Sequence, residues 1–367
     1  MWTPQAAALL FWLAHVSASP VVVDRDTANL TQTPKTYAAL GDSYAAGIGA
    51  GKYFSLNDDG DSKKCKRFDG GYPQKVFQAD PFKGQNPKQF YFKACSGDVL
   101  DGIDNQIKKV GGNKVEVVTL SISGNDFGFG NVVRKCVYAY SYIGSPKQKD
   151  CDDALSQSDD LVNQNAVWQK YQDKVNLIKL NLLNPSNQLL VITGYSKFFA
   201  QPVQGDACDK ISFMRIIGAN GLKMTADNRS KMNALVTKVN QKIFENIVLR
   251  NRNTIMIDID TPFEGHRFCE QGNSNDPIGA NNDNVWFFDL QSKLQESDYE
   301  SDGSAEDAAW DDWAHGFEGH VSTLSNNPDA LLPGKLTQAS VFHPKGPGHD
   351  QSASRISQAI HNNLPQA

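Results

Sequence analysis

The chain has 367 residues, 40% of them hydrophobic, so it is long enough to build one large folded domain or two small ones. Its 36 Lys and Arg residues stand against 41 Asp and Glu, and the formal net charge of −5 supplies no basic surface of the kind that nucleic-acid-binding proteins need. These values indicate a soluble, mildly acidic globular protein without a nucleic-acid partner.

The N-terminus predicts export. Residues 6–16 form an apolar run with the length of a signal-peptide core, too short to span a bilayer. Val16 and Ala18 occupy the −3 and −1 positions of a cleavage site, although no Lys or Arg precedes them. We interpret 1–18 as a signal peptide, in preference to a buried N-terminal helix, and 19–35 as a poorly ordered lead-in. The mature protein is then secreted and extracellular, and no later segment is apolar for long enough to be a transmembrane span.

Beyond the lead-in, short runs rich in β-branched and aromatic residues alternate with amphipathic stretches. Several runs are almost continuously apolar, as parallel strands buried on both faces are. The predicted strands are 36–40, 89–94, 115–122, 188–193 and 254–260, and the predicted helices are 161–183, 228–248 and 348–364. This alternation predicts a doubly wound parallel α/β sheet of about five strands in a single domain, 36–367.

Ser43 lies directly after the first predicted strand, in the sequence Gly41-Asp42-Ser43. Ligands of open parallel sheets bind beyond the carboxyl ends of the strands, so a serine there is well placed to act as a nucleophile. Taken alone, however, the pattern is better explained by Ser43 as a helix N-cap with Asp42 in a turn.

Two further strand ends carry groups that acyl transfer needs. Gly97 follows the strand 89–94, and its lack of a side chain leaves the backbone N–H open to close approach. Asn125 follows the strand 115–122 and carries an amide that can donate to a developing oxyanion. A hydroxyl, a free backbone donor and an amide at three strand ends are the minimal equipment of an acyl-transfer site.

Residues 296–312 interrupt the strand–helix pattern with an acidic sequence that contains Gly and Ser. A solvated surface insertion is the preferred interpretation. The alternative is a mobile flap over the active site, in which Trp310, Trp313 and Phe317 offer apolar contacts to a substrate.

His343 is the preferred general base. It lies in a Pro- and Gly-rich loop, 341–348, which leads into the last predicted helix and can hold an imidazole still. His349 fits a packed position in the first turn of that helix. The histidines at 266, 315 and 320 lack metal-ligand spacing, so we expect no metal and no other cofactor.

Six cysteines, an even number, are expected in an oxidising compartment, and the absence of a CxxC pair argues against zinc. Sequential pairing is preferred because each bridge then closes a loop-rich segment. The predicted disulfides are Cys65–Cys95, Cys136–Cys151 and Cys208–Cys269. Two sequons predict glycosylation at Asn29 and Asn228.

Together these motifs resemble the four sequence blocks of the SGNH (GDSL) hydrolase family, in order and in separation, over nearly the whole chain after residue 35. The resemblance is carried by Gly41-Asp42-Ser43, Gly97, Gly124-Asn125-Asp126 and Phe342-His343-Pro344. Residues 94–97 and 263–269 further resemble the secreted branch typified by an actinobacterial suberin esterase, which also has three sequential disulfides.

The resemblance implies a three-layer α/β/α, flavodoxin-like fold and carboxylic ester hydrolysis through an acyl-enzyme, with no metal. It implies that Ser43 is the nucleophile and His343 the base. It also implies an oxyanion hole formed by the backbone N–H groups of Ser43 and Gly97 and by the side chain of Asn125.

One position departs from the family pattern. The family usually has Asp three residues before the catalytic His, and this chain has Ser340 there. A backbone carbonyl, as in the suberin-esterase branch, or else Asp311 or Asp312, then orients His343. The carbonyl is the preferred interpretation.

Three other functions are alternatives to this one. A nucleotide-binding P-loop at 46–53 fails because Ala46 stands where Gly is needed and Tyr53 where Ser or Thr is needed. The α/β-hydrolase fold needs GxSxG, which does not occur. The third is a non-catalytic lipid- or glycan-binding protein on the same fold. The leading prediction is a monomeric esterase or lipase acting on a lipid, phospholipid, acetylated glycan or plant-polymer ester.

Overall fold

The structure of the protein, a computed structural model, describes residues 33–55, 60–86, 88–141, 143–214, 220–271, 278, 283–294, 303–324 and 334–364, without the side chains of 306 and 316–324. Within these residues the strands are β1 (Thr36–Gly41), β2 (Gln89–Phe92), β3 (Val117–Ser121), β4 (Tyr140–Ser141), β5 (Leu189–Thr193), β6 (Asn220–Gly221) and β7 (Thr254–Ile257). The helices are α1 (Ser43–Ala46), α2 (Tyr72–Gln78), α3 (Ile103–Lys109), α4 (Phe129–Val132), α5 (Gln148–Asn163), α6 (Asn165–Asn181), α7 (Ala226–Asn246), α8 (Ala305–Leu324), α9 (Lys335–Ser340) and α10 (Gly346–Asn363). The predicted signal peptide, Asn29 and the side chain of Phe317 lie outside the described residues.

Five of these strands form one parallel sheet in the spatial order β2-β1-β3-β5-β7. This confirms the predicted α/β fold with five parallel strands. The chain moves from β1 outward to β2 and then crosses back past β1 to β3, as in flavodoxin-like sheets. The crevice beyond the carboxyl ends of β1 and β3 is therefore the place where such a sheet binds ligands.

The alternation of side chains along the strands divides the core into two layers. Ala38 and Leu40 belong to one apolar cluster and Tyr37 and Ala39 to the other, because successive strand residues point to opposite faces. The first cluster includes apolar residues of α3, α6 and α7, and the second includes residues of α2 and α10. Helices thus cover both faces of the sheet, which is the predicted three-layer arrangement.

Four of the five predicted strands extend beyond the observed ones, by the largest number of residues at β3 and β7. Residue 115 forms only an isolated parallel bridge with Leu183, so the continuous ladder of β3 begins at Val117. β7 ends at Ile257, and Asp258 then accepts hydrogen bonds from the N–H groups of Asp260 and Thr261. At both positions, the apolar run in the sequence is therefore longer than the hydrogen-bonded strand. The antiparallel pair of β4 and β6 was not predicted.

The predicted helix 161–183 is divided between α5 and α6. Gln164 adopts an extended conformation with φ −74° and ψ 117°, although its apolar neighbours keep helical spacing. The indole N–H of Trp168 donates to the carbonyl oxygen of Val162 over 2.7 Å, which satisfies a carbonyl group that the end of α5 leaves free. Of the described helices, none combines the length and the apolarity that crossing a bilayer requires.

All three disulfides join the cysteines in sequential order, as predicted: Cys65–Cys95, Cys136–Cys151 and Cys208–Cys269. The first disulfide joins Cys65 to Cys95, two residues before Gly97. Next to it, the N–H of Ser96 donates to the carbonyl oxygen of Cys65 over 3.0 Å. This bridge therefore fixes the backbone at the carboxyl end of β2.

Asn228, the second predicted glycosylation site, is buried in this structure, and its glycosylation stays a prediction. This residue is 1% exposed in the first turn of α7. Its side-chain nitrogen donates to the Gln148 side chain over 3.2 Å and to the Lys223 carbonyl oxygen over 3.3 Å. A glycan would replace one hydrogen of that nitrogen and so displace one of these contacts, and it would have to be attached at a buried atom.

Candidate active site

The turn from β1 into α1 places Ser43 at the sheet edge. Gly41 has φ +136°, and a Cβ atom there would lie 2.0 Å from the Ser121 carbonyl oxygen, so only glycine fits between β1 and β3. Ser43 is the first residue of α1. Asp42 is the N-cap, since its side chain accepts a hydrogen bond from the N–H of Tyr44 over 3.0 Å. The interpretation of Ser43 as the cap is therefore wrong, and its hydroxyl is available for another partner.

That partner is His343. Its Nε2 lies 2.6 Å from Ser43 Oγ, and its Nδ1 lies 3.0 Å from the carbonyl oxygen of Val341. A carbonyl oxygen only accepts, so Nδ1 must carry the proton and Nε2 of the neutral ring must be the acceptor. The Ser43 hydroxyl therefore donates to His343, which is the direction of proton transfer that a general base requires.

Contacts from two segments, one at Phe288 and the other in α1, hold the His343 loop. Phe342 has φ +63°, an uncommon conformation for a large side chain. Its N–H donates to the Phe288 carbonyl oxygen over 2.9 Å, and the Phe288 N–H donates to the His343 carbonyl oxygen over 3.0 Å. The hydroxyl of Tyr44, from α1, donates to the Phe342 carbonyl oxygen over 2.7 Å. The helix that begins at Ser43 thus also positions the loop that carries His343.

Among the described residues, no carboxylate hydrogen-bonds to His343. Ser340, at the family's Asp position, is fully buried, and its hydroxyl donates to the Leu336 carbonyl oxygen over 2.7 Å within α9. Asp311 pairs with Lys335 over 3.1 Å. Asp312 lines a separate groove on the surface. The Val341 carbonyl group therefore occupies the position at Nδ1 that a carboxylate would otherwise take.

The surroundings of His343 keep its ring neutral. Burial lowers the pKa of His343 to about 4 because the imidazolium loses its hydration, while hydrogen bonding with Val341 and Ser340 offsets only part of this. The ring also lies against Tyr44, with 4.9 Å between the centroids. At neutral pH the imidazole is therefore ready to accept a proton.

Gly97 and Asn125 line the same pocket as Ser43 and His343. Gly97 has φ +79°, and neither its N–H nor that of Ser43 donates to another group in the described part of the chain. The Asn125 amide nitrogen donates to the Asp98 carbonyl oxygen over 2.9 Å, which orients the side chain and leaves its second hydrogen for a ligand. The structure thus brings together all four residues that the sequence singled out.

A buried network behind Ser43 has no counterpart in the sequence predictions. The Tyr195 hydroxyl donates to the Asp42 carboxylate over 2.8 Å and accepts from the Gly124 N–H over 2.8 Å. Burial raises the pKa of Asp42 to about 7, although its hydrogen bonds with Tyr195 and Tyr44 lower it in part. Tyr195 follows β5 by two residues, and its place at a strand's carboxyl end was the one available signal. The network connects the turns after β1, β3 and β5.

The pocket beyond the polar groups has an apolar wall. Apart from the polar groups, its lining includes Phe129, Val133, Phe198, Trp310 and Phe342. Trp310 is 4% exposed and Asp307 is 6% exposed, so a solvated surface insertion is the wrong interpretation for this part of 296–312. Both residues lie in the first turns of α8, which pack inward on the pocket.

Comparisons with known proteins agree with this fold. No family model matches the chain. Lipase 1 of Streptomyces coelicolor is 28% identical over 247 residues, which are 64% of this chain and 72% of that protein. The crystal structure of the extracellular lipase from Streptomyces rimosus aligns with a TM-score of 0.57 and 18% identity over 90% of this chain and 100% of that one. Phospholipase A1 from Streptomyces albidoflavus aligns with a TM-score of 0.56 and 20% identity over the same shares. The chain has the same fold as these two solved structures.

Proposed function

We propose that the protein is a secreted carboxylic ester hydrolase of the SGNH family, with Ser43 as nucleophile and His343 as general base. The observation that carries the proposal is the 2.6 Å contact between Ser43 Oγ and His343 Nε2 at the polar end of an apolar pocket. The identity to Lipase 1 of Streptomyces coelicolor adds support from an independent source.

The reaction follows from this geometry. Ser43 Oγ attacks the ester carbonyl carbon as its proton passes to His343 Nε2. The tetrahedral oxyanion accepts hydrogen bonds from the N–H groups of Ser43 and Gly97 and from the Asn125 side chain. Collapse breaks the bond to the alcohol, which takes the proton from the imidazolium and leaves an acyl-enzyme. Water, deprotonated by His343, then releases the acid and restores Ser43.

The Val341 carbonyl group acts here in place of the third member of a triad. It fixes the tautomer of His343 and accepts from Nδ1 throughout the reaction, but it supplies a dipole rather than a full negative charge to the imidazolium. The protein therefore works as a Ser–His dyad, which is also a point of likeness to the suberin-esterase branch.

Two features support an extracellular site of action. Three disulfides join all six cysteines, which suits an oxidising compartment. The apolar run at 6–16 then serves as a signal peptide.

The apolar pocket wall and the relatives named lipase and phospholipase A1 favour esters with an acyl chain as substrates.

Hydrolysis of p-nitrophenyl butyrate by the wild type and by Ser43→Ala tests the proposal. We expect Ser43→Ala to lower kcat by at least about 10³-fold, because the nucleophile is lost while the fold is kept. Circular dichroism and the thermal midpoint of the variant check the fold. Equal, slow turnover by both proteins would contradict the enzyme function and favour a non-catalytic binding protein.

A further inference from the structure

One face of α8 forms part of the wall of the catalytic pocket. Ser304, Asp307 and Trp310 all line the pocket, and their spacing of three residues places them on the same side of the helix. The hydroxyl oxygen of Ser304 accepts a hydrogen bond from the N–H of Asp307 over 3.1 Å, which caps the start of this helix. This face is therefore part of the pocket wall, and its first turn is capped by Ser304.

A buried ion pair holds this face in place. Lys66 Nζ lies 3.0 Å from Asp307 Oδ2, and the two side chains are 0% and 7% exposed. A charge buried at this depth is stable only when it is paired, so moving Asp307 out of the wall would break a buried ion pair. Lys66 follows Cys65, whose disulfide to Cys95 anchors the segment beside the oxyanion hole. The position of α8 is thus tied to the catalytic end of the pocket.

Beyond the pocket wall lies a second groove on the surface. Val133 and Trp310 line the catalytic pocket, whereas their chain neighbours Arg134 and Ala309 line the outer groove together with Trp313. The guanidinium of Arg134 lies over the Trp310 ring, 5.4 Å from its centroid. The Trp310 ring and Arg134 are therefore the partition between the two spaces.

We propose that Trp310 determines acyl-chain length by closing the apolar end of the pocket. The inference rests on the proposed ester hydrolysis and names its substrate class as esters of short acyl chains, which fit between Ser43 and the indole. Removal of the indole joins the pocket to the outer groove and gives longer chains a path. Trp310 is then a specificity-determining residue that contacts the acyl chain and takes no part in proton transfer.

The test compares kcat/KM for p-nitrophenyl laurate and p-nitrophenyl butyrate, below the micelle concentration of each. Each methylene that gains burial favours binding by about fourfold, so a few newly accommodated methylenes raise the laurate-to-butyrate ratio by at least about tenfold in Trp310→Ala. An unchanged or lower ratio would overturn the proposal. If Trp310→Ala does not fold, Trp310→Leu carries the same test with a smaller expected rise.

Trp313→Ala is the matched control. Trp313 lies on the same helix, with its ring centroid 5.2 Å from that of Trp310, but it faces the outer groove and its indole N–H donates to the Tyr138 carbonyl oxygen over 3.0 Å. We expect its laurate-to-butyrate ratio to equal that of the wild type. An equal rise in both variants would mean general loosening of α8 and would refute a specific role for Trp310.

Hydrolysis that survives Ser43→Ala would overturn the ester-hydrolase function itself, which is a different result from an unchanged ratio.

Discussion

Ser43 and His343 touch across the pocket, yet the regions that carry them are held by different kinds of contact. On the strand side, the ladder pairs Gly41 with Ser121, and the N–H of Asp42 donates to the Ser121 carbonyl oxygen over 2.8 Å. On the loop side, His343 pairs with none of the described strands. Its loop is held by Phe288 and by the hydroxyl of Tyr44, which lies 298 positions away along the chain.

This difference indicates how substitutions should affect each half of the site. The strand side depends on backbone hydrogen bonds that the parallel sheet makes in any case, so a side chain such as that of Asn125 can change there without breaking the ladder. The loop side depends on individual tertiary contacts, and the orientation of His343 depends on one carbonyl group. Substitutions on the two sides should therefore differ in size and in kind.

The largest effect is expected on the loop side, from His343→Gln. Without a base, the Ser43 hydroxyl stays protonated, and kcat for p-nitrophenyl butyrate should fall by at least about 10³-fold. His349→Gln is the matched control, since His349 is 2% exposed in α10 and its Nδ1 accepts from the Tyr72 N–H over 3.2 Å, away from the pocket. The control should keep kcat within about threefold. Equal losses in both variants would show that the loss reflects folding rather than the base.

A smaller effect is expected on the strand side, from Asn125→Ala. This change removes one of three oxyanion donors and should lower kcat by about 10²-fold to 10³-fold with little change in KM. Asn131→Ala, six residues later and facing the outer groove, should leave kcat as in the wild type. A rise in KM with unchanged kcat would contradict the role of Asn125, because an oxyanion donor acts in the transition state.

The smallest effect is expected from pH. The base works only when neutral, so kcat/KM should fall as pH drops through the lowered pKa of His343, about 4. Between pH 7 and pH 5 the loss should be less than about twofold, whereas an unperturbed histidine would give about 25-fold. Asp42→Asn, which keeps the helix cap, should retain the acid limb near pH 4 and remove any contribution from the raised pKa of Asp42. A limb centred near 6.5 in both proteins would contradict the buried, neutral base.

The strand-side groups show how much of the site a sequence pattern can predict. Ser43, Gly97 and Asn125 each follow an apolar run, and the carboxyl ends of parallel strands meet at one edge, so their proximity followed from the fold class alone. The position of His343 could be predicted only with the family resemblance, because the sequence of a Pro- and Gly-rich loop does not show which part of the fold it packs against. The catalytic roles of these four residues stay predictions until the variants are measured.

Other features of the site left little trace in the sequence. The contact of Tyr195 with Asp42 joins residues 153 positions apart without a shared motif. The acidic composition of 296–312 favoured a solvated insertion, and yet Asp307 and Trp310 are buried. Composition averages over a helix, whereas burial depends on which of its faces meets a partner such as Lys66.

By itself, the sequence determined the parallel sheet, the even number of cysteines that disulfides require and the order of the polar groups along the chain. It could do so because strand burial, cysteine number and strand-end motifs are local properties that periodicity and spacing record. Only the tertiary structure decided that the carbonyl group of Val341, rather than Asp311 or Asp312, lies at His343 Nδ1, and that Trp310 lines the pocket. Those outcomes depend on contacts between residues far apart in the chain, whose geometry no local pattern contains.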